Sequence, residues 1–211
     1  MPQILKVTAE NSEEDVLESA AAVLASGGVI AYPTETFYGL GADAMNDRAV
    51  KKIYKIKGRD FTSPISVIIG RTEDLSSLVS GIPTAAEKLI NAFWPGPLTI
   101  IFEASSKVLP RLTAGTEKIG VRLSGSHVAR SLAQKLGHPV TATSANLSGR
   151  DECSTASAVV LQIGKKIDAI VDSGPTAGHK GSTIVDVTSD PPAIIREGAI
   201  PRQSIKNVLK I

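Results

Sequence analysis

Two spacings of apolar residues alternate along the chain and predict interleaved helices and strands. An acidic start at 11–15 contains an N-cap candidate, and apolar residues follow it at helical spacing until Gly27-Gly28. Asp47 is predicted to cap a second helix that ends at Lys57-Gly58-Arg59. Further helices are predicted at 72–79, 83–93, 126–136, 154–163 and from Pro201. Short β-branched apolar runs predict strands at 29–32, 65–69, 98–102, 119–123, 140–143, 168–172, 183–187 and 193–196.

This order of elements predicts the α/β class, with a mixed β-sheet flanked by helices. No repeat, low-complexity tract or linker divides the sequence, so we expect a single domain over residues 1–211. The segment 34–41, which ends in Gly39-Leu40-Gly41, is predicted to be a polar loop. The turn at 94–97 contains two prolines, and its Trp94 is predicted to be a core anchor.

Composition excludes several classes of protein. The 211 residues carry 23 Lys and Arg against 21 Asp and Glu, which excludes a wholesale polyelectrolyte binder but not a local basic groove. One cysteine, Cys153, permits neither an intrachain disulfide nor a thiolate-only zinc site, and the three histidines lack metal-binding spacing. No apolar run is long enough to span a bilayer, and the acidic N-terminus is unlike a signal peptide. We therefore predict a cytoplasmic protein.

Four polar segments adjoin predicted strands, where ligands bind in open α/β sheets. They are 33–39 (PTETFYG), 57–59 (KGR), 144–146 (SAN), and 181–183 (GST) together with Arg196. Their hydroxyl, amide and cationic groups suit phosphates and a small zwitterion, and they favour charge neutralisation over covalent catalysis. The P-loop, dinucleotide-binding, α/β-hydrolase and zincin motifs are absent.

Each segment also has a purely structural interpretation. PTET is compatible with a simple turn, KGR with a solvated helix end, and SAN with an N-cap. Arg48, Lys52, Lys55 and Arg59 fall on one helical stripe, which is usually a solvent-facing surface. From the residues alone, the prediction is an α/β domain with an anion-binding cleft.

The motifs together resemble the YrdC-like threonylcarbamoyl-AMP synthase family, in its short, single-domain form. The matching segments run in family order: GVIAYPTETFYGLG at 28–41, DAMNDRAVKKIYKIKGRD at 43–60, WPGPLTIIF at 94–102, GVRL at 120–123, TATSANLSG at 141–149, GSTIVDV at 181–187 and REGAI at 196–200. The resemblance implies a twisted mixed sheet around a positively charged cavity.

The same resemblance implies a nucleotidyltransferase that uses L-threonine, bicarbonate and ATP. Its products would be threonylcarbamoyl-adenylate and pyrophosphate, with Mg²⁺ accompanying ATP. The adenylate would feed threonylcarbamoyladenosine (t6A) formation in tRNA, where other proteins perform the transfer. Double-stranded RNA or tRNA is a further expected partner, and no membrane is expected.

Site residues follow from the resemblance position by position. The threonine-binding residues it implies are Thr34, Tyr38, Arg122 and Ser182. The ATP-binding residues it implies are Lys57, Arg59, Lys118, Ser144, Asn146 and Arg196, of which Lys57, Arg59, Ser144 and Asn146 are expected to be catalytic. No protein ligand of the metal is assigned, because Mg²⁺ would be held mainly by the ATP phosphates.

The chain departs from the family pattern in three places. Asp60, Ser63-Pro64-Ile65 and Ile68 replace a proline, an Asn-Pro-Leu run and a histidine. Ser124-Gly125 replaces a proline and its acidic neighbour, and Glu197 replaces a proline. Two alternatives remain at this point: an RNA-binding module that uses the basic stripe, and a carbamoyl-transfer accessory protein.

Overall fold

The structure is a computed structural model that describes residues 1–8 and 12–211. In these residues the strands are β1 (Gln3–Lys6), β2 (Ile30–Pro33), β3 (Tyr38–Gly41), β4 (Val67–Ile68), β5 (Leu98–Glu103), β6 (Lys118–Arg122), β7 (Val140–Thr141), β8 (Thr143–Ser144), β9 (Ala169–Asp172), β10 (Thr183–Asp186) and β11 (Ala193–Arg196). The helices are α1 (Glu13–Ala25), α2 (Asp47–Lys57), α3 (Thr84–Phe93), α4 (Pro110–Thr113), α5 (His127–Leu136), α6 (Ala156–Ile163) and α7 (Arg202–Leu209). Short 3₁₀ turns lie at Thr72–Ser77 and Gly164–Lys166.

The predicted α/β class is confirmed, although the strands form two mixed sheets where the sequence predicted one. The first sheet has the strand order β1-β9-β2-β3-β8, and the second has the order β11-β10-β5-β6-β4-β7. The two sheets meet near β7, where the Thr141 amide donates to Ala42 O and the Tyr32 hydroxyl donates to Thr141 O at 2.9 Å. The single-domain bounds of 1–211 stay a prediction.

Helix ends are set by local chemistry. Ser12 caps α1 in a capping box with Asp15, whereas Asn11 lies outside the described residues. Asn46, and not the predicted Asp47, caps α2, because its side-chain oxygen accepts from the Arg48 and Ala49 amides. At the other end, Gly58 adopts the left-handed conformation and stops α2 directly after Lys57.

The segment 38–41 is a strand, not the predicted loop. β3 pairs antiparallel with β2, so that Tyr32 faces Gly39 and Ile30 faces Gly41. A Cβ atom on Gly41 would lie 2.7 Å from the Tyr32 ring and 2.9 Å from Val140, and one on Gly39 would lie 2.9 Å from the Tyr32 ring. The glycines that suggested a loop therefore serve close packing under an aromatic ring.

Other differences are smaller. The predicted strand at 65–69 shortens to the two residues of β4, and the predicted strand at 140–143 divides into β7 and β8. β1 and α4 were not predicted. Trp94 packs against the core as predicted, and its indole N–H donates to Leu98 O at 2.8 Å.

Two clusters of buried apolar side chains hold the elements together. The larger cluster joins α2 to the second sheet and to the C-terminal helices. The smaller one fills the space between α1, α5 and the first sheet. Across the described residues, no helix combines the length and apolar character that crossing a membrane requires.

Replacing Gly41 with alanine should destabilise the fold by about 1–3 kcal/mol, because the new methyl group overpacks the Tyr32 ring and Val140. The free energy of unfolding measured by urea denaturation tests this. Gly81→Ala is the matched control, since no atom lies within 4 Å of its new Cβ. Equal stability of the two variants would contradict the packing explanation.

Candidate active site

A cavity of about 340 Å³ collects nearly all of the predicted site residues. Nine of the ten line it: Thr34, Tyr38, Lys57, Arg59, Arg122, Ser144, Asn146, Ser182 and Arg196. They come from the β2–β3 connection, the end of α2, the end of β6, the segment after β8, and β10 with β11. The cavity therefore brings together segments that are widely separated along the chain.

Lys118 is the predicted residue that the structure does not bring into the cavity. It begins β6, whereas Arg122 ends the same strand, and four residues of strand span about 13 Å. The Lys118 ammonium instead pairs with Asp186 at 3.1 Å. This position gives its predicted contact with ATP no support.

The ammonium group of Lys57 is buried and fully used by the protein. It donates to Ser144 O at 2.7 Å, to Asn146 O at 3.1 Å and to Asn146 Oδ1 at 2.9 Å. An ammonium group has three N–H donors, so none remains for a ligand in this arrangement. Lys57 therefore holds the turn at 144–146 and leaves only its charge available to a ligand.

Burial lowers the pKa of Lys57 to about 8, and the neighbouring Arg59 adds to the effect. The cause is the removal of the charged form from water, which the three oxygen acceptors only partly offset. Arg59 itself is half-buried and lines the cavity. Within residues 1–8 and 12–211, no hydrogen bond or ion pair holds its guanidinium group, so its donors can reach a ligand.

Arg196 and Ser182 form a connected pair in the cavity wall. The Arg196 guanidinium donates to Ser182 O at 3.1 and 2.8 Å, and to Ser182 Oγ at 3.2 Å. The Ser182 hydroxyl also lies 3.0 Å from the hydroxyl of buried Thr99 on β5. These contacts fix the entry to β10 at the cavity wall.

The PTET segment forms a turn, and its Thr34 also lines the cavity. The Thr34 hydroxyl donates to Phe37 O at 2.7 Å and accepts from the Thr36 amide, which closes a tight turn against the cavity. The Tyr38 hydroxyl donates to Gly174 O at 2.8 Å. Burial, with the nearby Asp172 carboxylate, raises the pKa of Tyr38 to about 12. The Tyr38 hydroxyl thus anchors the 172–174 segment.

Arg122 is a buried guanidinium with unused donors. Its Nη2 lies 2.6 Å from Glu35 Oε2 as an ion pair, but the contact is not aligned as a hydrogen bond. Neither Nη2 nor Nε has a hydrogen-bond partner in the part of the chain that the structure describes. Buried donors of this kind are costly unless a ligand completes them, so the position indicates an anion site.

Sequence reasoning missed several residues of the cavity wall. Three of them are Thr99, Ser66 and Tyr32. Each lies in or beside an apolar strand, so the sequence pattern indicated a core position and not a polar group at the cavity. Glu152 also lines the cavity, and among the described lining residues it is the one with an acidic side chain. Four cationic residues and this one acid are thus present, while the positive charge of the whole cavity stays a prediction.

Comparison with known proteins shows the family of this chain. The profile of the Sua5/YciO/YrdC family, described as "Telomere recombination", matches residues 22–198. The chain therefore belongs to this family, as the motifs predicted.

Relatives named threonylcarbamoyl-AMP synthase match most of the chain. The protein from Bacillus subtilis is 40% identical over 96% of this chain and 59% of its own length. The one from Pyrococcus abyssi is 38% identical over 95% of this chain and 59% of its own length. A relative from Methanocaldococcus jannaschii is 34% identical over 96% of both chains. The chain thus spans about 59% of the first two relatives and nearly all of the third.

Solved structures agree with this assignment. The crystal structure of P. abyssi Sua5 complexed with L-threonine has a TM-score of 0.93 and 36% identity, covering 99% of this chain and 60% of that one. E. coli YciO has a TM-score of 0.84 and 27% identity, covering 94% of this chain and 97% of that one.

The buried Lys57 should give the protein a distinctive pH dependence. Its folded-state pKa of about 8 lies below the ordinary value of 10.5, so the unfolded chain binds more protons between these values. Titration of Lys57 should therefore add a contribution to the free energy of unfolding, and this contribution should increase as the pH is raised from about 8 to about 10.5. Lys57→Met should lose that contribution in chemical denaturation at pH 7 and pH 10.

The matched control is Lys51→Met, which removes an exposed lysine from the same helix. It should keep the rise in stability seen in the unmodified chain. An identical rise in Lys57→Met would show that the buried ammonium does not titrate as its surroundings dictate.

Proposed function

We propose that this chain catalyses formation of threonylcarbamoyl-adenylate from L-threonine, bicarbonate and ATP. The observation that carries the proposal is Arg122, a buried guanidinium that faces the cavity with two nitrogens lacking hydrogen-bond partners. The names of the B. subtilis and P. abyssi relatives and the threonine complex of P. abyssi Sua5 support it. Because those relatives are longer, the activity is a proposal for this chain.

The amino acid would occupy the end of the cavity at Arg122. A guanidinium group suits a carboxylate, since its fork of N–H donors matches two carboxylate oxygens. The Thr34 and Ser182 hydroxyls also line the cavity and would hold the amine or the side-chain hydroxyl. Half-buried Ile184 lines the cavity too and would add apolar surface for a methyl group.

The nucleotide would occupy the end formed by Arg59, Arg196 and the 144–146 turn. Arg59 would supply donors that no described residue uses, and Lys57, which is hydrogen-bonded to the turn, would add positive charge. Only part of the Arg196 guanidinium remains available for a ligand, because the group makes three hydrogen bonds to Ser182. We propose that Ser144 and Asn146 present the turn to the phosphates.

The chemistry needs no thiol or imidazole. The threonine amine combines with bicarbonate to give a carbamate and water. A carbamate oxygen then forms a bond to the α-phosphorus of ATP, and the bond to the β-phosphate oxygen breaks to release pyrophosphate. Charge on the phosphates is the main obstacle, so fixed cations supply most of the catalysis.

Mg²⁺ would enter as part of the nucleotide substrate. The described residues contain no group of three or more His, Cys, Asp or Glu side chains arranged for a metal ion. Phosphate oxygens are preferred Mg²⁺ ligands, and the cavity offers hydroxyl and amide groups around them. The metal would neutralise phosphate charge alongside Arg59.

The adenylate would serve t6A formation in tRNA, with other proteins performing the transfer. RNA contact is a separate proposal that rests on three exposed cations of the predicted basic stripe, Arg48, Lys52 and Lys55. The cytoplasmic location stays a prediction.

Replacing Arg59 with alanine should lower pyrophosphate release in the presence of threonine, bicarbonate and MgATP by at least ~10²-fold. The reason is that no hydrogen bond or ion pair within the described residues holds the Arg59 guanidinium, so its donors can reach the phosphates. A coupled assay of pyrophosphate measures the rate.

Arg48→Ala is the matched control, because Arg48 is exposed on the same helix and does not line the cavity. It should leave the rate within about twofold while weakening any RNA contact made by the basic stripe. Unaltered pyrophosphate release by Arg59→Ala would contradict the assignment of Arg59 to the phosphates.

A further inference from the structure

Glu35 joins the β2–β3 connection to the start of α5. Its carboxylate accepts a hydrogen bond from the Ser124 hydroxyl and another from the Gly125 amide at 2.9 Å. The Ser126 amide lies 3.4 Å from the same carboxylate. Acceptors in this position are favoured by the unpaired amides and dipole at a helix start. Glu35 is therefore held by several donors that do not belong to Arg122.

The same carboxylate is the ion-pair partner of Arg122. The Nη2–Oε2 distance is 2.6 Å, and the side chains are 7% and 21% exposed. Burial would raise the pKa of the Glu35 carboxyl, but the Arg122 charge and the hydrogen bonds outweigh it and hold the pKa below its usual value. Glu35 thus remains a carboxylate at neutral pH and supplies a fixed counter-charge.

Ser124 is the hydroxyl donor that holds Glu35. Its side chain is fully buried and donates to the Glu35 carboxylate. Its carbonyl accepts from Arg130 on α5 at 2.5 Å, which fixes the serine from the other side. The position of the Glu35 carboxylate therefore depends on a serine that is itself held in place.

We propose that Glu35 is a positioning residue: the Ser124–Gly125 segment fixes its carboxylate, and the carboxylate fixes the Arg122 guanidinium toward the bound amino-acid carboxylate. The inference rests on the proposed function. Glu35 itself does not touch the reacting atoms, which are the threonine nitrogen and the α-phosphate. Its effect falls on binding of the amino acid, because the carboxylate that Arg122 would hold lies outside the bonds that form and break.

The test is steady-state pyrophosphate release by the full chain, with threonine and ATP varied in turn. Glu35→Gln keeps the shape of the side chain and removes its charge. It should raise KM for threonine about tenfold or more, the scale on which loss of an outer partner weakens a preorganised site. KM for ATP and kcat should stay within about twofold. Calorimetric threonine binding should weaken by the same factor as KM.

Ser124→Ala is the second variant and should raise KM for threonine in the same direction by a smaller factor. The double variant should be close to Glu35→Gln alone, because both changes break one network. Ser126→Ala is the matched control. It removes a 3.0 Å hydrogen bond from the Ser126 hydroxyl to Pro33 O, which joins the same two segments without Arg122. Its KM for threonine should stay within about twofold.

Three results would overturn the positioning role. They are an unchanged threonine KM in Glu35→Gln, an equal rise in the KM values of both substrates, and an equal effect of Ser126→Ala. An unmodified chain that releases no pyrophosphate in response to threonine would instead overturn the proposed function, and this inference with it.

Discussion

The ammonium group of Lys57 is buried against three oxygen atoms of the 144–146 segment, and the cavity takes its shape from that contact. An ammonium group can be buried only where acceptors surround it, since an uncompensated charge in the interior is costly. Gly58 ends α2 directly after Lys57, which places the charge at the helix end. The same contact therefore positions the turn that follows β8 and the Arg59 side chain beside it.

The cations of the cavity differ in how many donors the protein uses. Lys57 gives all three N–H groups to the 144–146 turn, and Arg196 gives three contacts to Ser182. Arg122 is balanced by Glu35 yet keeps unused donors, and within the described chain no partner holds the Arg59 guanidinium. This difference is why we propose separate anion sites at Arg122 and Arg59 in a chain whose net charge is only +2.

The sequence predicted the helices better than the small strands and the residues that contact the site residues. Helix capping and termination by glycine depend on residues close together in the sequence, so the ends of α2 and α5 were predicted almost to the residue. β3 was missed because Gly39 and Gly41 are typical of loops, whereas here they make room for Tyr32 from the neighbouring strand. Of the ten site residues that the motifs predicted, nine line the cavity. They could not show that Lys118 pairs with Asp186, or that Glu35 contacts Arg122, since both depend on segments brought together only by the fold.

The most direct measurement is mass spectrometry of the product formed by the purified chain from L-threonine, isotope-labelled bicarbonate and MgATP. We expect threonylcarbamoyl-adenylate that carries the label, with one pyrophosphate released for each adenylate. Serine at equal concentration should give less product, because it lacks the methyl group that Ile184 in the cavity wall would contact. Consumption of ATP that does not depend on threonine, or absence of the labelled adenylate, would show that the chain does not catalyse this reaction.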